Sequence, residues 1–184
     1  MRWLILICMG FLAAVATAGT VEGVNLPDRI SVGDRELVLN GAGVREKFFF
    51  DIYVAALYLP ARSRDAGAIL QTDQPWRMSM NFLYSEVDKE KLDKGWDEGF
   101  EANVAKDRLP ALQERLQKFK SMFTTMHKGD VIQMDYMPGT GVRVVIKGEE
   151  KGVVPGADFA RALLSVWIGP EPVTSSVKKS LLGG

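Results

Sequence analysis

From Leu39 to Pro60 the chain reads LNGAGVREKFFFDIYVAALYLP, and no other stretch limits the fold as much. The dozen residues from Phe48 to Leu59 contain no proline and are rich in Phe, Val, Ile and Tyr. That composition suits a long central strand, which Pro60 would end. Upstream, Gly41 and Gly43 read as a glycine-spaced turn, or as places where another group comes close to the backbone. Arg45 stands between these glycines and the strand. A cation beside an apolar surface needs an anion or a wet edge, because burying it unpaired is costly. Two readings of Arg45 follow: it pairs with a carboxylate such as Glu46 or Asp51, or it holds the head of an amphipathic acid.

With 47% hydrophobic and 25% charged residues, the chain can bury a core of ordinary size. Its 184 residues suit one domain. Lys plus Arg and Asp plus Glu both number 23, so no net field draws the molecule to nucleic acid or anionic lipid. Residues 1–18 have the form of a signal peptide: Arg2, an apolar run from Leu4 to Val15, then Ala16-Thr17-Ala18 for cleavage. The run is short for a bilayer span, and no later stretch approaches the ~20 residues needed, so no stable membrane insertion is expected after cleavage. Removing Arg2 with the leader would leave a formal charge of −1. The only cysteine, Cys8, would leave too, and with it disulfides, thiolate catalysis and cysteine metal sites. A cysteine-free exported domain, residues 19–184, fits the bacterial periplasm.

After Asp28, Ile30–Val32 and Glu36–Leu39 read as a hairpin turning at Gly33-Asp34. A short helix before Gln74-Pro75 is followed by a strand from Trp76 to Leu83, with Trp76, Met78, Met80 and Phe82 on one face. Ser85 reads as the N-cap of a helix carrying Leu92, Trp96, Phe100 and Val104 on its apolar side. Pro110 opens a second helix with Leu112, Leu116, Phe119, Phe123 and Met126, placing His127 at its end. Val131–Tyr136 and Val142–Lys147 form a hairpin, and a turn over 148–152 leads to Val153-Val154. A helix from Ala157 to Ile168 stops at Gly169, and a last one carries Val173, Val177 and Leu181. Strands on both sides of a helical block predict an α+β fold, an antiparallel sheet covered by helices on one face.

Little in the sequence signals catalysis. His127 has no second histidine to join it in a metal site, and no metal or cofactor is expected. The acids of DKEKLDKGWDEG alternate with lysines at helical spacing, which describes an ion-paired solvated face. The GAGV and GTG glycines lack a following lysine and any phosphate-loop setting.

Gly41, Gly43, Val44 and Arg45, followed by Ile52, Tyr53, Ala56, Leu57 and Tyr58, resemble the chalcone isomerase-like family. That family shares a G-x-G-V-R element and a strand ending in a V-Y-x-x-G-L-Y pattern. LLSVWIG, then PEPVT, then a short helix ending SLLG is similar to its C-terminal block. The resemblance covers most of the chain after residue 28. It implies an open-faced β-sandwich, a large antiparallel sheet packed against a helical layer, with a ligand cleft between them. It also implies that Arg45 lies at that cleft and that Thr174 matches the C-terminal threonine or serine of true isomerases. Their catalytic-site threonine aligns with Tyr53, and their helical tyrosine and asparagine with Asp88 and Gly95, which argues against the chalcone-to-flavanone reaction. Fatty-acid-binding members pair an arginine with a tyrosine on a carboxylate, and Arg45 with Tyr53 resembles that pair. The ligand-binding residues are then Arg45, Tyr53 and Thr174, and the expected partner is a small amphipathic or apolar carboxylate. An isomerase or lyase on the same fold, or a partner-binding module with a closed cleft, are the alternatives. One geometric condition attaches: eight residues of unbroken strand would hold Arg45 and Tyr53 about 26 Å apart, so the chain must turn or bulge between them.

Overall fold

The computed structural model describes residues 19–184, so the expected signal peptide and Cys8 lie outside the described residues. In chain order the elements are β1 (Gly19–Val21), β2 (Val24–Leu26), β3 (Arg29–Val32), β4 (Arg35–Lys47), β5 (Phe50–Leu59), α1 (Ala66–Gln71), β6 (Trp76–Phe82) and β7 (Glu86–Val87). There follow α2 (Lys89–Asn103), α3 (Leu109–Ser121), β8 (Met126–His127), β9 (Val131–Met137), β10 (Gly141–Ile146), β11 (Glu149–Val154), α4 (Ala157–Ile168) and α5 (Ser175–Leu181). Seven strands form one sheet in the order β11-β10-β9-β6-β5-β4-β3, every neighbouring pair antiparallel.

Side-chain alternation sorts the sheet's two faces. Trp76, Met78, Met80 and Phe82 of β6 and Tyr53, Ala55, Leu57 and Leu59 of β5 join the core beneath the helices. Leu92, Trp96, Phe100, Leu112, Leu116, Phe119 and most of α4 complete it. The other residues of β5, Val54, Ala56 and Tyr58, form a second cluster with Leu37, Val32 and Leu26 on the far face, under the β1–β2 hairpin. β5 is buried on both faces, and this is why its sequence is continuously apolar rather than alternating. The expected α+β architecture, a curled antiparallel sheet with helices packed on it, is the one observed.

Several local expectations need correcting. Gly41 and Gly43 do not form a turn; the strand that begins at Arg35 runs through them to Lys47. Their role is close approach, since a Cβ on Gly41 would stand 2.1 Å from the Ser180 carbonyl oxygen and one on Gly43 2.7 Å from the Ser180 Cβ. α5 can therefore lie directly on β4. The long strand starts at Phe50, not Phe48, because the chain reverses at Phe48-Phe49. Asp88, not Ser85, precedes α2, and Glu86-Val87 instead pairs with Met126-His127. α3 ends at Ser121, so Phe123 and Met126 follow it rather than belonging to it, and His127 is on a strand. β11 begins at Glu149, where a turn was expected, because Lys147-Gly148 closes the hairpin in two residues.

Two bulges interrupt the β4–β5 ladder. Leu39 faces Tyr58 and Gly41 faces Leu57, which leaves Asn40 as the extra residue of the first. Arg45 faces Tyr53 and Glu46 faces Asp51, which leaves Ile52 as the extra residue of the second. A bulge flips the alternation of everything beyond it. Leu37 and Leu39 point to the far face, as do Ala42 and Val44 after the first bulge, so Gly41, Gly43 and Arg45 turn toward the helices.

Candidate functional site

The Arg45–Tyr53 rung meets the geometric condition. Turn and bulge together bring the two residues opposite each other, where antiparallel partners share one face. The Arg45 Cζ lies 5.7 Å from the centroid of the Tyr53 ring, a cation–π arrangement. Tyr53 is only 4% exposed, and its hydroxyl accepts a hydrogen bond of 3.1 Å from Trp167 Nε1 on α4. On its other side it faces Phe82, with ring centroids 5.8 Å apart. Burial pushes the Tyr53 phenol above its ordinary pKa, with Arg45 and the Trp167 bond pulling the other way. It therefore carries its proton at neutral pH. Because the hydroxyl accepts from Trp167, its own proton is free for another acceptor.

Arg45 pairs with neither Glu46 nor Asp51. Among the described residues no carboxylate lies within 4.0 Å of its guanidinium. Its Nε is buried and, among the described residues, has no hydrogen-bond partner. Buried guanidinium nitrogens are nearly always satisfied, so an orphan one calls for an explanation. Trp96 Nε1 is also buried without a partner among the described residues, and its ring packs edge-on against Trp167 at 5.6 Å. The guanidinium lies over Tyr53, which in turn touches Phe82 and Trp167, with Trp96 packed on Trp167, and all four rings are nearly inaccessible. A groove of about 460 Å³ lies elsewhere, between the α2–α3 connection and α4, lined by residues including Val104, Arg108, Ala111 and Arg161.

Thr174 sits at the N-cap of α5, where its hydroxyl accepts from the Val177 amide at 3.2 Å. The hydroxyl thus has a structural role that the sequence reading did not assign. Asp88 is held as a carboxylate by its hydrogen bond and charge contact with Lys91, which lower its pKa. Gly95 presents open space at its Cβ position. His127 Nε2 lies 3.1 Å from the Glu86 carboxylate across the β7–β8 pair. No group of three or more metal-ligating side chains occurs among the described residues. The lysine-rich face of α2 is ion-paired as expected, with Lys89–Asp93 at 2.5 Å, Lys91–Asp88 at 2.7 Å and Lys94–Glu98 at 3.6 Å, while Asp97 pairs with Lys120 of α3 at 2.6 Å.

Asn40 is the residue that the sequence reading missed. It is nearly buried, its Nδ2 donates to the Leu181 and Ser63 carbonyls at 2.7 and 3.0 Å, and its Oδ1 accepts from the Ser63 amide at 2.7 Å. These bonds pin the bulge that aims Arg45. A lone Asn between a strand and a glycine was the available signal, since Asn commonly bonds to nearby backbone.

A seven-stranded antiparallel sheet, one helical layer and an arginine–tyrosine rung between them define an α+β protein of open-faced sandwich type. The chain belongs to the chalcone isomerase-like family, whose profile matches residues 18–183. Among solved structures it is similar to a fatty-acid binding protein from Arabidopsis thaliana, at 18% identity and a TM-score of 0.69, over 90% of this chain and 96% of that one. No curated protein matches it by sequence.

Proposed function

We propose that this chain is a non-catalytic binding protein for a small amphipathic carboxylate of the fatty-acid kind, working in the periplasm after removal of residues 1–18. The observation that carries the reading is the buried, unpartnered Arg45 Nε beside a neutral Tyr53 phenol with a proton to give. A carboxylate there would take a charge-assisted bond from the guanidinium and a second from the phenol. The fold likeness to a fatty-acid binding protein supports the same reading. The tail would run into the aromatic layer of Phe82, Trp96 and Trp167, which must part to admit it, each buried methylene contributing roughly 0.8 kcal/mol before ordering costs. An enzyme on this fold has weaker support. Tyr53 is shifted away from the phenolate a base would need, and the Asp88 carboxylate is exposed and paired with Lys91.

Calorimetric titration with dodecanoate tests the proposal. The protein should bind it, and Arg45→Ala should weaken binding ten- to hundredfold, the value of a hydrogen bond to a charged group. Tyr53→Phe should cost about tenfold. Equal affinity in the wild type and Arg45→Ala, or no binding at all, would rule this function out.

A further inference from the structure

The turn that creates the Arg45–Tyr53 rung is made of the wrong residues for a turn. Phe48 and Phe49 have φ of 49° and 70°, a left-handed pair that two-residue hairpins normally give to Asn-Gly or Asp-Gly. Bulky residues seldom occupy this region, so folding alone does not account for two phenylalanines here. Nor does packing: Phe48 is 79% exposed, Phe49 fully exposed and Phe50 55% exposed. These are the large hydrophobic side chains that the described structure leaves in water. The Lys47 Nζ lies 5.9 Å from the Phe48 ring centroid, and Tyr84 meets Phe50 edge-on at 5.4 Å. The apolar tip is thus rimmed by an ammonium and a phenol.

We propose that this tip docks the protein reversibly on a lipid bilayer, with Phe48, Phe49 and Phe50 seated in the interface. The three rings offer roughly 500 Å² of convex apolar surface, taking about 200 Å² for each fully exposed ring. A stable protein partner needs about 800 Å² per side. A narrow knob that falls short of that can still bury its whole apolar surface in a bilayer, and Lys and Tyr are the side chains that settle at headgroup level. Glu46 and Asp51 face each other one rung behind Lys47 and offset its charge. Apolar burial therefore drives the docking, and it should depend little on salt. Arg45 lies three residues from Phe48 on the same hairpin, so docking would hold the proposed carboxylate site beside the membrane surface. This use of the docking rests on the function proposed above; the docking itself rests on the tip.

The test uses residues 19–184, which contain every described element, so that the apolar leader contributes nothing. Sedimentation is measured with vesicles of phosphatidylethanolamine and phosphatidylglycerol. Phe48→Asn/Phe49→Gly installs the residues that the turn prefers, so it should fold at least as well as the wild type. The wild type should pellet with the vesicles at low and high salt, and the double variant should partition at least about tenfold more weakly. Equal partitioning of the two proteins, or loss of wild-type pelleting in high salt, would overturn the proposal. So would self-association of the wild type, but not of the variant, without vesicles, since the occupant would then be a second copy. Dodecanoate titration of both proteins without vesicles separates the two claims. Vesicle binding without dodecanoate binding keeps the docking and rejects the carboxylate reading; the reverse result rejects the docking alone.

Discussion

Arg45 and Tyr53 are eight residues apart in sequence and directly opposite each other on β4 and β5, the guanidinium carbon 5.7 Å from the phenol ring centroid. The rung forms because a two-residue turn and a one-residue bulge replace what would have been a straight strand. It leaves a cation over the Tyr53 ring with, among the described residues, no carboxylate within 4.0 Å.

That absence predicts an unusual stability result. Removing one member of a buried ion pair usually costs about 3–5 kcal/mol. Arg45 has no such partner among the described residues, so Arg45→Met should change ligand-free stability by less than about 1 kcal/mol. For a chain of this size that is a shift in melting temperature of about 2–4 °C. The same variant should lose the thermal stabilisation that dodecanoate gives the wild type. Calorimetric melts with and without dodecanoate check both, and a large ligand-free loss would mark Arg45 as a structural residue.

Asn40 sets which way Arg45 points, so its removal should damage both fold and site. Asn40→Ala abolishes three hydrogen bonds and leaves the Ser63 amide and the Leu181 carbonyl short of partners. The expected cost is about 2–4 kcal/mol, from unsatisfied buried groups. Urea unfolding measures it. Dodecanoate affinity should fall as well, although Asn40 touches no part of the rung.

These two residues also mark where the sequence was legible. The alternating strands β6, β9 and β10 and the helix α2 show clear periodicities that their apolar burial follows, whereas α4 is buried on nearly every side. The pairing of Arg45 with Tyr53 was visible only as a resemblance, because Phe48-Phe49 carries none of the Gly, Asn, Asp or Pro that announce a turn. A bulge leaves no periodic trace either: one extra residue looks like a small phase error. Thr174 was named from a matched family position, and its additional capping role depends on where α5 starts. His127 was misplaced for a simpler reason, since a two-residue strand such as β8 is too short to show any period.

Glycines of similar appearance should behave in opposite ways. At Gly41 an added Cβ would stand 2.1 Å from the Ser180 carbonyl oxygen and 2.7 Å from that of Leu181, both backbone atoms at the end of α5. Gly41→Ala must push α5 off β4, at a cost of about 3 kcal/mol. At Gly95, inside α2, an added Cβ meets nothing within 4 Å. Gly95→Ala should stabilise by about 0.5–1 kcal/mol through the better helix propensity of alanine. Denaturant unfolding of the pair gives both signs in one experiment.

The acid limb of stability should carry the signature of Asp158. Its carboxylate takes two hydrogen bonds from Arg115, at 2.6 and 2.7 Å, and they hold its pKa down to about 2, from an ordinary value of 3.8. A carboxyl group whose pKa is lower in the folded state stabilises the fold above its unfolded pKa. That contribution shrinks as pH falls from about 4 and is gone once pH passes below about 2. Because the Asp158 side chain is 51% exposed, solvent screening reduces the full linkage value to about 1 kcal/mol. Asp158→Asn should therefore be about 1 kcal/mol less stable than wild type at pH 7 and equal to it below about pH 2. Urea unfolding across that range checks the convergence. A difference that persists undiminished into strong acid would mean that Asp158 contributes through packing or capping of α4 rather than through its charge.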